Sequence, residues 1–393
     1  MFASAYLEEG GIYVRIYRIL LLALLASILV NHVCCAESTD EDTNNYVSIA
    51  SQVVYVEEND TVRDNRLSAS LYISNHEIWF SGTSPEGKPW LICTNDRGEI
   101  LFAKTLEDAP GKHVYVRALS KVEDTLLLGI IDFETQLGTI GVMRDQRLDD
   151  ISYYPMGDAK ITQMVSAKDG MLVLGLSYDM SQNTVALSLS MVGCNGDILF
   201  QTTCKPYDID RDKGALSTSP CYSFGDRHYV QENIGDESKM LAHRELVCFD
   251  NKGSEIWRVA LEENISVLKV VADDENAYLL GIHGEITSDG LLVNQKAMVQ
   301  CYSSSGENMW SRIFDTPVSF QYGDAGNGVC VTANSVDEHW YLCVLDTEGA
   351  ILAMQTREAE AQYINSIALD TKGMMAILGM TPERLFIQTI PYQ

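Results

Sequence analysis

Three carboxylates at alternating positions, Asp208, Asp210 and Asp212, are the residues whose type and spacing point most directly to chemistry. A hard cation takes several oxygen ligands, and a short segment ending in a turning glycine, here Gly214, can wrap them around one ion. The segment departs from the EF-hand loop: Lys213 stands at position 6, Gly214 at position 7, and Ser219 where the bidentate Glu belongs. Two readings stay open, a Ca²⁺ site and an exposed acidic connector. No other metal or cofactor is expected.

Nucleophilic catalysis needs a serine or cysteine held beside an oriented histidine. GxSxG does not occur, and His76, His113, His228, His243, His283 and His339 are never paired at i, i+4, so the chain contains no HExxH zinc site. A closed fold could still gather these histidines around one channel; the simpler expectation is isolated side chains in solvated or locally bonded turns. Gly323-Asp324-Ala325-Gly326-Asn327-Gly328 contains GxxGxG, but no helical pattern follows to hold a phosphate, and the segment reads as a turn. Of ten cysteines, eight lie beyond residue 36, and Cys93, Cys248 and Cys301 each precede a repeated glycine by five residues. Equivalent positions in successive repeats lie too far apart for a disulfide, so these thiols read as small buried apolar groups. Trp79, Tyr153, Tyr154 and Trp340 fall outside the repeat and suit either a binding face or the core, with the core as the expectation.

The N-terminus stands apart from the rest. Arg15 and Arg18 precede a twelve-residue apolar run at 19–30, short for a membrane span, and Cys34 and Ala36 occupy the −3 and −1 positions of a cleavage site. Residues 1–36 are therefore expected to be a signal peptide or an N-terminal anchor that tethers the chain through 19–36. A polar exposed segment at 37–45 and a single domain over 46–393 would follow. Either way the body is exported, secreted or held at the cell surface. Glu8 and Glu9 cancel Arg15 and Arg18, so the body keeps the formal net charge of −27. That charge repels nucleic acid and anionic membrane surfaces, and suits a cationic partner, divalent cations or plain solubility.

The elements that must position these residues repeat. Five segments align on a glycine: LICTNDRGEILFAKTL, SLSMVGCNGDILFQTTC, ELVCFDNKGSEIWRVAL, MVQCYSSSGENMWSRIF and YLCVLDTEGAILAMQT. The glycines are Gly98, Gly196, Gly253, Gly306 and Gly349; four residues later come Phe102, Phe200, Trp257, Trp310 and, departing, Ala353. Eight residues later come Leu106, Cys204, Leu261, Phe314 and, departing again, Arg357. An even spacing places both positions on one face of a strand, so each copy predicts a β-hairpin with an aromatic packed inward. Between the hairpins recurs a second pattern, apolar strand, turn, then an aliphatic run that often ends in glycine, as in ALSKVEDTLLLGII and VVADDENAYLLGIHG. Two hairpins per period of about 50 residues make a four-stranded unit that buries both faces only by stacking in a ring. The expected fold is all-β, a seven-bladed propeller, with six or eight blades as alternatives. The last unit lacks an outer strand, and the strand-like segment at 46–58 is expected to supply it beside 384–390.

The pattern aliphatic-x-aliphatic-Asp-x-x-Gly-x-x-x-Trp, seen in LVCFDNKGSEIW and in part in LICTNDRGEILF and CVLDTEGAIL, resembles the repeat of PQQ-like (quinoprotein-type) β-propellers. The resemblance covers most of the chain beyond about residue 66 and implies the fold. That family contains quinone-dependent dehydrogenases and cofactor-free binding scaffolds of exported proteins. The adjacent-cysteine ring and acidic metal ligands of the dehydrogenases have no counterpart here, so the cofactor does not carry over. The function expected is an exported, monomeric, non-catalytic scaffold that binds a protein or polymer ligand at one rim or in the central channel. The alternative is an extracytoplasmic enzyme, a quinone-dependent dehydrogenase or a polysaccharide-active propeller.

Overall fold

The computed structural model describes residues 52–55, 66–74, 76–84, 86–144, 151–204, 206–208, 220–236, 239–287, 292–315, 320–336, 339–358, 363–370, 372–381 and 385–391. The expected leader at 1–36 and polar segment at 37–45 lie outside the described residues. Every regular element among the described residues is a β-strand.

The strands assemble into antiparallel sheets in chain order. β1 (Gln52–Tyr55) waits for the C-terminus, while β2 (Arg66–Ser74), β3 (Glu77–Thr83), β4 (Pro89–Asn95) and β5 (Ile100–Thr105) form the first sheet. β6 (Val114–Val122), β7 (Thr125–Asp132), β8 (Leu137–Arg144) and β9 (Ile151–Ala167) follow. The first part of β9 pairs with β8, as in Met143↔Ile151, and its last part pairs with β10 (Gly170–Asp179), as in Leu172↔Val165. One strand thus ends one set of four and begins the next, which continues through β11 (Thr184–Gly193) and β12 (Ile198–Thr203), with β13 (Tyr207–Asp208) on the outer end of β11. Three further sheets comprise β14 (Cys221–Phe224), β15 (Arg227–Asp236), β16 (Lys239–Asp250) and β17 (Glu255–Ala260); β18 (Ile265–Ala272), β19 (Asn276–Ile286), β20 (Leu292–Ser303) and β21 (Asn308–Phe314); and β22 (Tyr322–Gly326), β23 (Val329–Val336), β24 (His339–Asp346) and β25 (Ile351–Glu358). β26 (Tyr363–Leu369), β27 (Met374–Met380) and β28 (Leu385–Pro391) take β1 as their fourth strand, in the register Gln52↔Thr389 to Tyr55↔Phe386. The N-terminal segment therefore does pair with the C-terminal strand through its described residues, 52–55; the rest of 46–58 lies outside the described residues.

Burial explains why these sequences form strands of this kind. β7 is buried along Leu126–Ile131 and β11 along nine consecutive positions, because each middle strand has a neighbouring sheet on both faces. A strand covered on both sides reads as a continuous apolar run rather than an alternation. The apolar clusters lie between consecutive sheets: Trp79 and Leu91 meet Val116 and Leu128, and Tyr229 and Leu246 meet Val267 and Leu279. One cluster joins the last sheet to the first, through Ala376, Leu378 and Ile387 against Phe80, Trp90 and Ile92. The first strands touch one another in a closed cycle, β2, β6, β9, β14, β18, β22, β26 and back to β2, and their inner edges surround a central channel. This is the arrangement of a β-propeller.

Candidate binding site in the central channel

The repeated residues, taken one by one, serve the scaffold. Three residues before the turn glycine in four of the five copies, the exception being Gly193 before Gly196, a side-chain oxygen caps the turn: Asp250 Oδ1 accepts from the backbone N–H of Lys252 (2.9 Å) and Ser254 (2.8 Å), and Asp346 Oδ1 from Glu348 (2.9 Å) and Ala350 (2.8 Å). Asn95 and Ser303 act in the same way in their hairpins. The glycine itself sits at φ +77° to +84° in all five copies, a left-handed conformation that a side chain strains. Its bare face receives an aromatic ring of the preceding sheet: a Cβ on Gly253 would meet Phe200, one on Gly306 would meet Trp257, and one on Gly349 would meet Trp310. The indole N–H groups complete the join, Trp257 Nε1 donating to Ser304 O (3.0 Å) and Trp310 Nε1 to Thr347 O (2.8 Å). Ala353 departs from the pattern because the next sheet has no such hairpin, its outer strand being β1 from the other end of the chain.

Cys93, Cys248 and Cys301 lie buried across the ladder from Phe102, Trp257 and Trp310, and burial pushes each thiol up to about 12, which disfavours the reactive thiolate. The eight described cysteines are free thiols. Trp79 and Trp340 are buried, and Tyr154 covers Gly196 as the ring contributed by β9. The histidines are not gathered. His76 faces Asp96 (3.3 Å), His113 faces Glu134 (3.6 Å), and His283 Nε2 meets Asn264 Nδ2 (2.8 Å). His228 is 1% exposed, its Nδ1 is 2.9 Å from Ser223 Oγ, and its ring lies against Phe200, which leaves a substrate no access to the pair. The side chains of His243 and His339 lie outside what is described. Among the described residues no group of three metal-ligating side chains converges. Of the acidic segment, Asp208 appears as backbone in β13, paired with Thr184, while Asp210 and Asp212 lie outside the described residues.

Polar groups outside the repeated hairpins gather on the inner side of the ring. β-Bulges at Arg117 on β6, Thr162 on β9, Leu268 on β18 and Asn365 on β26 interrupt the first strands and re-aim the chain there. Tyr222 on β14 donates a short hydrogen bond to Asp324 Oδ1 on β22, passing β18, which separates those strands in the cycle. Asp324 also accepts from its neighbour Ala325 N–H (3.0 Å) and, through Oδ2, from Leu369 N–H on β26 (2.8 Å). One carboxylate thus ties three first strands together. Lys269, beside the β18 bulge, lies within electrostatic reach of Asp324, of Cys221 and of Arg117 on β6. Groups from strands this far apart in the cycle meet only across the middle of the ring.

The environment is poorly solvated. Burial pushes Asp324 above the usual carboxylate range, against the opposing pull of Tyr222, the Leu369 N–H and Lys269. Burial pushes Lys269 down, with Asp324 and Cys221 opposing and Arg117 reinforcing. Cys221 is raised by burial to about 12 even beside the two cations. The sequence reading missed all four residues of this cluster. The available signals were lone charges inside apolar first-strand runs: Arg117 in VYVRALSKV, Lys269 in ISVLKVVA, and Asp324 inside the glycine-rich segment read only as a turn.

No protein-family model matches the sequence, and no curated protein matches it. The structure is similar to solved propellers. The β-propeller domain of the Trilobed protease from Pyrococcus furiosus aligns with a TM-score of 0.56 at 10% identity, over 84% of this chain and 95% of that one. An acylaminoacyl peptidase of Pyrococcus horikoshii aligns at 0.53 and 12% identity, over 82% of this chain and 51% of that one, so the chain spans about half of that enzyme. Polysaccharide lyase Uly1 aligns at 0.50 and 7% identity, over 91% of this chain and 94% of that one. At these identities the likeness establishes the β-propeller fold. The first of them is described as having an open velcro topology; here β1 and β28 pair.

Proposed function

We propose that the chain is a seven-bladed propeller that acts outside the cytoplasm as a non-catalytic scaffold and takes a protein or polymer ligand at its central channel. Seven blades follow if β9 is counted as the outer strand of one blade and the inner strand of the next, which is what its two pairings support. The Asp-capped glycine turn and the ring stacked on it support kinship with PQQ-like repeats. Export rests on the leader at 1–36.

The observation that carries the functional reading is the junction at Asp324, whose carboxylate takes Tyr222 from β14 and the Leu369 N–H from β26 across the ring, with Lys269 of β18 within its electrostatic reach. Convergent polar groups in a concave, otherwise apolar site are how a protein orients a ligand. Burial raises the thiols of Cys221 and Cys301 and encloses the Ser223–His228 pair, which favours a binding role over a nucleophilic one at these residues. The test is binding to glycan and peptide arrays by the wild type and by an Arg117→Met/Lys269→Met double variant. Ligands retained by the wild type and lost by the variant support the channel; ligands bound equally by both place binding on a rim. Turnover of an array ligand would instead favour the enzymatic alternative.

A further inference from the structure

Two turns on one rim of the ring are built alike and present large apolar side chains to solvent. The turn from β7 to β8 reads Asp132-Phe133-Glu134-Thr135-Gln136, and the turn from β10 to β11 reads Asp179-Met180-Ser181-Gln182-Asn183. In the first, Asp132 Oδ1 accepts from the N–H groups of Glu134 and Thr135 (2.9 Å each); in the second, Asp179 Oδ1 accepts from Ser181 N–H (2.9 Å) and Gln182 N–H (3.2 Å). Both close on a non-glycine residue in the left-handed region, Gln136 at φ 60° and Asn183 at φ 53°. An aspartate bonded to the backbone two and three residues on makes a turn stiff. The residue after it, Phe133 or Met180, is 68% or 80% exposed.

The two turns stand side by side because β9 serves both sheets. Lys160 on β9 pairs with Leu137 of β8 and with Leu176 of β10, Ile161 N–H donates to Gln136 O (2.8 Å), and Lys160 Nζ lies 5.9 Å from the centroid of the Tyr178 ring. Leu137 and Tyr178, both exposed, thus join Phe133 and Met180 on this rim. Among the described residues β9 is the one strand shared by two sets of four. The exposed apolar residues of the repeated hairpins, such as Leu101 and Met309, are instead dispersed over the outer strands of separate sheets. Dispersed apolar side chains on a surface are ordinary, whereas several gathered on one rigid platform mark a contact surface.

We infer that this rim is a docking surface for a partner protein, which seats on Phe133, Met180, Leu137 and Tyr178 a segment that is apolar on one side and rich in lysine or arginine beside it. The charge of the surface selects that occupant. Exposed Glu134 and Asp179 and half-buried Asp132 interleave with the apolar groups. The cations beside them are Lys160, over the Tyr178 ring, Lys112, whose backbone N–H donates to Asp132 Oδ2 (3.2 Å), and His113 when protonated, 3.6 Å from Glu134. The whole chain, at a formal −27, adds a field that draws a basic segment and repels an acidic one or an anionic membrane. Phe133 and Met180 are suited to anchor such a segment, the aromatic by its area and the thioether by its adaptability. The inference goes beyond the channel reading and does not depend on it.

Fluorescence anisotropy tests this with three labelled peptides: an amphipathic one of leucine and lysine, its leucine and glutamate counterpart, and a serine and lysine peptide without apolar residues. The leucine–lysine peptide should bind the wild type, and the other two should bind at least roughly tenfold more weakly. Phe133→Ser and Met180→Ser should each weaken it by roughly tenfold and melt within about 1 °C of the wild type, since the side chains removed are exposed. Leu101→Ser/Met309→Ser, which removes two exposed apolar residues of the repeated hairpins, should bind as the wild type does. Equal binding by the Phe133 and Met180 variants, an equal loss in the Leu101/Met309 variant, equal binding of either control peptide, or a large fall in Tm in the Phe133 or Met180 variant would each overturn the docking surface. Zwitterionic phosphatidylcholine vesicles that bind the wild type and not the Phe133 variant, with no peptide bound, would assign the rim to lipid and overturn a protein partner. The channel is judged separately: Arg117→Met/Lys269→Met should leave peptide binding unchanged. A peptide lost in that variant would place its site in the channel and overturn the rim, whereas array ligands indifferent to it would count against the channel alone.

Discussion

His228 makes the fold sensitive to acid. Its burial lowers its pKa from 6.5 to about 4, against the opposing pull of Asp250, Asp226 and Asp169. Between those values the unfolded chain binds a proton that the folded chain refuses, so stability is level above about pH 6.5 and falls as the pH drops towards 4. The loss is on the order of 3 kcal/mol at most. His228→Asn keeps a partner for Ser223 Oγ and should flatten the plot of Tm against pH between 6.5 and 5; an unchanged slope would show that other groups carry it. Arg258 raises a different issue, because Glu232 beside it is fully buried. Arg258→Met strands that charge and should cost about 3–5 kcal/mol in a denaturant titration, while joint replacement of Arg258 and Glu232 by Met should recover much of it. Neither residue could be told from a surface charge in the sequence, since alternation along β15 and β17 does not reveal which carboxylate the next strand covers.

At the scale of the element, the hairpin was legible because its requirements are local. A turn glycine at positive φ, an oxygen three residues before it and an aromatic four residues after it lie within one short window. The partner of that aromatic was not legible, because it is the glycine of the next hairpin, 39 to 53 residues away in the later copies. Nor was the bulge at the intervening position. Leu101, Leu199, Ile256, Met309 and Leu352 are skipped in their ladders and stand 46 to 57% exposed, although their apolar character suggested burial. Trp310→Ala removes both the ring over Gly349 and the bond to Thr347 O, and should cost about 2–4 kcal/mol. Gly349→Ala strains φ +81° and brings a methyl to 2.8 Å from the Trp310 ring, for a loss of about 1–3 kcal/mol. Ala353→Trp restores the consensus and should stabilise nothing, since no turn glycine faces it. A Tm gain in that variant would contradict the stacking account.

At the scale of the whole molecule, the period of about 50 residues and the unfinished last unit were enough to expect a ring closed by its own N-terminal strand. The channel cluster was not readable, because its members come from separate repeats, one or two periods apart in the chain, and come together only when the ring closes. Closure and the channel cluster are therefore linked: Asp324 reaches Leu369 on β26, and β26 belongs to the sheet that β1 completes. Deleting residues 37–60 removes β1 and leaves the β28 edge unpaired. The account predicts that this variant melts roughly 5–10 °C below the parent and self-associates in size-exclusion chromatography. A truncated protein that melted cooperatively at the parent temperature and eluted as a monomer would contradict the closed ring and the seven-blade reading built on it.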